Sequence, residues 1–149
     1  MTPPLPNGYI TRPATIDELE RAAELANLCS IELTGRPATN ADELRIDWQL
    51  PSSNPETDIR LVFANDGPLA GALVGYAGVW DAAPHVQVHS WSHVHPEQSD
   101  GELESYLLDW VEARARQAIP RAPEGARVTV GQVRELQTAT GRDWRDVAR

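Results

Sequence analysis

Apolar residues recur along this chain with two different spacings, and the switches between them lay out its elements. Residues 8–12, GYITR, read as a short strand. Thr15 and Glu18 then have the spacing of a capping box, and Leu19, Ala22, Ala23, Ala26, Cys29 and Leu33 follow at helical intervals until Gly35 and Pro37 stop the run. Residues 40–48, NADELRIDW, predict a second, shorter helix with Leu44 and Trp48 one turn apart. Strand patterns return in residues 59–65, IRLVFAN, and 69–80, LAGALVGYAGVW, joined through Asp66 and Gly67, a hairpin signal. A third long strand is expected over residues 85–94, HVQVHSWSHV. The clearest helix covers residues 99–118, with Leu103, Tyr106, Leu107, Trp110, Val111 and Ala115 as its buried face. PRAPEG ends it, residues 126–131 give another strand, and residues 132–140 read as a short helix closed by Gly141. Antiparallel hairpins followed by a strand–helix–strand crossover make a mixed, mostly antiparallel α/β sheet flanked by helices. The expected organisation is one domain, residues 8–149, behind a flexible proline-rich segment, residues 1–7.

Composition narrows the partners. A chain of 149 residues with 41% apolar residues can build a single core. Its net charge of −9 argues against nucleic acid and against anionic membranes. No apolar run reaches the roughly 18 residues of a membrane span. MTPPLPNG lacks the basic and apolar regions of a signal peptide, so a cytoplasmic protein is expected. The single cysteine, Cys29, falls among small apolar residues of the first helix and reads as a buried structural thiol.

VHPEQSDGELESYLLDW, residues 94–110, passes from strand through a tight loop into a helix, the arrangement that makes a natural anion site. Together with YITRPATIDELERAAELAN and RLVFANDGPLAGALVGYAGVW, this stretch resembles the GNAT acetyltransferase superfamily across residues 8–130. The resemblance implies an acyl-CoA N-acyltransferase-like fold and a loop whose backbone amides cradle the pyrophosphate of acetyl-CoA. Carried onto this chain, the cofactor-binding residues are Val94, Gln98, Ser99, Asp100, Gly101, Glu102, Leu103 and Glu104. The family's loop is rich in glycine because side chains block close approach of a phosphate. Here Gly101 is its single glycine, and Asp100, Glu102 and Glu104 bring acid to the cradle. Ser99 and Glu102 have capping-box spacing, which would occupy the same amides. The family's acid tyrosine falls near Gln137, with Gly141 and Arg142 standing for its glycine–phenylalanine pair. The closing residues RDWRDVAR supply at most one further strand, so the sheet is expected to be incomplete at its C-terminal end, with a homodimer or a second domain completing the edge.

His85, His89, His93 and His95 occupy alternate positions of one strand and, by strict alternation, share one face with Gln87 and Trp91. A polar cleft wall is the reading adopted, although His93 and His95 are close enough in sequence to chelate a metal. A family bulge near His93 would break the alternation. Imidazoles titrate near neutral pH, so His89 and His93 are the candidate catalytic bases. Glu32 and Asp47 border the acceptor pocket that the resemblance implies and could hold a cationic amine. Two main functions stay open: transfer of acetyl from acetyl-CoA to a small amine, or a degenerate, non-catalytic GNAT-like domain acting as a binding or assembly module. A metal-binding protein without acyl transfer is the third.

Overall fold

The computed structural model describes residues 4–98, 101–133 and 142–148. Six strands form one sheet in sequence order: β1 (Tyr9–Arg12), β2 (Ile59–Ala64), β3 (Leu73–Trp80), β4 (Gln87–Val94), β5 (Val128–Val133) and β6 (Arg142–Ala148). Neighbours are antiparallel except β4 and β5, which are parallel and joined through helix α4 (Glu102–Arg116). Helices α1 (Leu19–Thr34), α2 (Ala41–Trp48) and the single turn α3 (Pro55–Asp58) lie between β1 and β2. This is the mixed α/β architecture expected from the sequence.

Alternation along the strands divides the core in two. Ile59, Leu61 and Phe63 of β2 pack with Leu19, Ala22 and Leu25 of α1 and with Leu44 and Trp48 of α2. Val62 and Ala64 face the other way, onto Leu103, Tyr106, Leu107, Trp110 and Val111 of α4. Each large apolar side chain so buried contributes about 1.5–3 kcal/mol. The predicted face of α4 is thus buried as expected. A β-bulge between β2 and β3 skips Val74, because Val62 pairs with Gly75 while Phe63 pairs with Leu73. Gly75 turns toward α4, where a Cβ would stand 3.2–3.4 Å from Val62, Leu107 and Leu103. The missing side chain lets the start of α4 press close to the sheet.

Several local expectations are corrected. Thr15 makes no side-chain cap, and residues Ile16–Glu18 form a 3-10 turn. The Glu18 carboxylate instead reaches Arg12 (3.7 Å) and Arg21 (3.6 Å). Leu33 is 62% exposed, because the buried stripe of α1 ends at Ser30; Leu25 takes the core position that periodicity did not assign. The β2–β3 connection is no two-residue turn. Residues 65–72 form a longer loop, closed by hydrogen bonds from Gly71 to Ala64 and from Ala64 to Ala72. Helix α4 begins at Glu102 with Gly101 as its cap at φ 87°, and Ser99 of the expected box lies outside the described residues. Gln132 and Val133 extend β5 and do not open a helix. Residues 134–141, which include Gln137 and Gly141, lie outside the described residues. The closing segment does supply one strand, β6, antiparallel to β5. No described helix is long and apolar enough to cross a membrane.

Candidate active site

The face of the sheet beneath α1 and α2 carries a cavity of about 440 Å³. Strand β4 supplies His89, Trp91 and His93 to it, β3 supplies Tyr76 and Trp80, and α2 supplies Asp47 and Trp48. The β3–β4 register runs unbroken from Gly75↔Val94 to Trp80↔His89. Alternation therefore holds through His93, and the bulge expected there lies in the β2–β3 pairing instead. Cross-strand pairing sets His93 beside Tyr76, ring centroids 5.8 Å apart, and His89 beside Trp80 at 5.4 Å.

The four histidines do not share one site. His85 precedes β4 with φ 66°, and its Nδ1 lies 2.7 Å from Asp81 in a separate, largely buried ionic cluster. His95 follows β4 and accepts a hydrogen bond from the Glu97 amide at Nδ1 (3.1 Å). It borders another hollow, with Arg21 and Glu24. Alternation is a property of extended backbone, and the extended run stops at Gln87 and Val94. Among the described residues no three His, Cys, Asp or Glu side chains come together in a way that could hold a metal.

Tyr76 was not visible as a site residue from the sequence, where it reads as an ordinary strand aromatic. Its ring is 1% exposed, and its hydroxyl accepts a hydrogen bond from Trp48 Nε1 at 3.3 Å. Burial pushes its pKa up, hydrogen bonds from Trp48 and Trp91 pull it down, and the charge of Asp47 pushes it up again, with a net rise. The phenol therefore stays protonated at neutral pH. With the Trp48 indole donating to its oxygen, its own proton is left to point elsewhere.

Gly78 is the other residue that periodicity could not identify. A Cβ there would stand 2.6 Å from Trp91 Cε2, inside any real contact distance. The bare backbone lets the Trp91 indole rest against the sheet as a wall of the cavity. Gly78→Ala is expected to displace Trp91, costing about 1–3 kcal/mol as an overpacked site does. Near-ultraviolet circular dichroism should change while the far-ultraviolet spectrum is kept; an unchanged near-ultraviolet spectrum would refute the packing role.

Beyond β4, the Val94 carbonyl accepts a hydrogen bond from Cys29 Sγ (3.1 Å), which ties α1 to the strand end and gives the thiol a structural partner. Residues Pro96–Gln98 make a 3-10 turn, and Gln98 Oε1 accepts a hydrogen bond from the Tyr9 hydroxyl at 3.0 Å. Ser99 and Asp100 lie outside the described residues. Gly101 has open space where a Cβ would be, at a φ that suits glycine. Leu103 is wholly buried against the sheet, so its side chain cannot meet a ligand in the loop. Glu102 and Glu104 stand in the first turn of α4, and Glu104 Oε1 is shielded from solvent with no hydrogen-bond partner among the described residues. The first turn of α4 thus brings two carboxylates to the helix end that follows β4.

Comparison with known proteins gives the fold an affiliation. No family model matches the sequence, and no curated protein matches it. Among solved structures, a GCN5-related N-acetyltransferase from Sphaerobacter thermophilus superimposes with a TM-score of 0.75 and 27% identity over 87% of this chain. The chain spans only 39% of that protein's length. A GNAT phosphinothricin acetyltransferase from Sinorhizobium meliloti, solved with acetyl-CoA, matches with a TM-score of 0.54 and 18% identity over 85% of this chain and 65% of its own. The ribosomal-protein-S18-alanine N-acetyltransferase from Escherichia coli matches with a TM-score of 0.56 and 13% identity, over 88% of this chain and 70% of its own. The fold is that of the GNAT N-acetyltransferase superfamily.

Proposed function

We propose that this GNAT-fold domain transfers an acetyl group from acetyl-CoA to a small amine held in the β3–β4 cavity. The observation that carries the reading is the meeting of His89, His93 and a protonated Tyr76 on one wall of that cavity, next to the strand end at Val94. Val94, Gln98, Ser99, Asp100, Gly101, Glu102, Leu103 and Glu104 would hold the coenzyme, whose thioester supplies the activated acetyl group. Leu103 would act through its backbone, and Glu102 and Glu104 would weaken the grip. His93, or His89, accepts the proton that the amine loses as it attacks. Tyr76 is placed to return a proton to the departing sulfur, the part left open at Gln137. Asp47 attracts the amine as a cation before it is deprotonated.

The test is release of coenzyme A thiol from acetyl-CoA in the presence of a panel of primary amines. Tyr76→Phe is expected to lower kcat by about a hundredfold, the lower range for a lost general acid, with KM for acetyl-CoA unchanged. Equal loss in both parameters would instead mean that the hydroxyl only maintains Trp48 and Trp91. A second reading, a non-catalytic binding module, is favoured by the acidic first turn of α4, where Glu104 Oε1 has no partner among the described residues. It requires that the native chain bind no acetyl-CoA at all.

A further inference from the structure

The cavity has a chemical bias that goes beyond a small amine. Trp48, Tyr76, Trp80 and Trp91 contribute four aromatic rings to its wall. The indole N–H groups of Trp48 and Trp80 already have partners inside the protein. Trp48 Nε1 donates to the Tyr76 hydroxyl at 3.3 Å, and Trp80 Nε1 donates to Ser52 Oγ at 2.9 Å. What these indoles can offer a ligand is therefore ring surface. Asp47 is the one carboxylate among the described lining residues, and no lysine or arginine is among them.

We infer that the cavity takes a primary arylalkylamine, one flat apolar ring carrying one cationic nitrogen. The inference deepens the acetyl-transfer reading and rests on it for the identity of the ligand as an acceptor. Ring faces attract both an aromatic body and an ammonium group, and Asp47 fixes the charge at one point. An amino acid would bring a carboxylate that meets no cation. A polyamine would bring a second ammonium that meets no second carboxylate. The volume of about 440 Å³ suits a molecule of this size. Trp80, 40% exposed, and Leu50 at the rim would cover a ring that is too long to be enclosed.

Calorimetric titration of the full chain without acetyl-CoA tests the inference apart from turnover. The probes are 2-phenylethylamine, 2-phenylethanol, phenylalanine and spermidine. Saturable binding of 2-phenylethylamine is expected, with each other probe about tenfold or more weaker, the discrimination that a paired charge or a stranded one gives. Asp47→Asn, at an exposed helix position, should abolish the preference for 2-phenylethylamine over 2-phenylethanol. Phenylalanine or spermidine binding as tightly as 2-phenylethylamine would overturn the inference. So would no saturation below about 10 mM, weaker than the usual small-ligand range, or discrimination that survives Asp47→Asn. Binding as expected without any acetylation would remove the acetyl-transfer reading and leave the ligand class standing. Acetylation of other amines with 2-phenylethylamine unbound would do the reverse.

Discussion

Arg114→Met is expected to remove about 3–5 kcal/mol from the folding free energy, a large part of the roughly 5–15 kcal/mol that a domain possesses. Arg114 sits on the buried face of α4, only 6% exposed, between two carboxylates that are equally enclosed. Its Nε lies 2.8 Å from Asp58 Oδ1 and its Nη1 lies 3.3 Å from Asp81 Oδ2. Asp58 also receives the Thr57 hydroxyl and the Asn54 amide, and Asp81 receives His85. Removing the guanidinium strands two carboxylates in the interior, where Arg121, 3.9 Å from Asp81 and largely in solvent, compensates little. Urea denaturation followed by tryptophan fluorescence would measure the loss. The triple variant with Asp58→Asn and Asp81→Asn is expected to recover much of it, because a removed ion cluster costs far less than a broken one. A loss below about 1 kcal/mol for Arg114→Met would show that the cluster behaves as a surface pair does.

The second large effect concerns the coenzyme. Changing Glu102 and Glu104 together to glutamine is expected to tighten acetyl-CoA binding by about tenfold or more at low salt, since each carboxylate within a few ångströms of a phosphate repels it by about 1 kcal/mol at surface dielectric. Glutamine retains the size of the side chains and the helix propensity of α4, so a change would report charge. Calorimetry at about 20 and 300 mM salt would separate the causes, because screening shrinks a Coulombic difference. A gain that persists at high salt would point to the shape of the loop. No binding by either protein would remove the coenzyme reading and leave the module reading in its place.

The elements were legible where one physical signal governed them. The helical stripe of α4 is set by burial against a single layer, and it appears as expected. The histidines show the limit: periodicity placed His89 and His93 correctly on one face but ran past the strand ends to include His85 and His95. Strand ends depend on partners elsewhere in the chain, such as Asp81 for His85. Arg114 lay unrecognised because a charged residue on an apolar face has no meaning until Asp58 and Asp81, 56 and 33 positions away, are seen to meet it. Tyr76 and Gly78 were silent for a related reason. A tyrosine in a strand and a glycine in a strand acquire their roles only from the indoles placed over them, one from α2 and one from the neighbouring strand. The acidic loop after Val94 was legible as composition, while Gly101 as the residue that opens α4 was not, since its left-handed backbone carries no periodic signal.

Gly78 and Trp91 also give the cavity a built-in spectroscopic probe. The α protons of Gly78 lie against the indole, within the magnetic field that its circulating π electrons generate. Their chemical shifts consequently encode the tilt of one cavity wall, at a backbone position that bears no side chain of its own. A molecule that slides along that wall would be felt there whether or not any bond is made or broken.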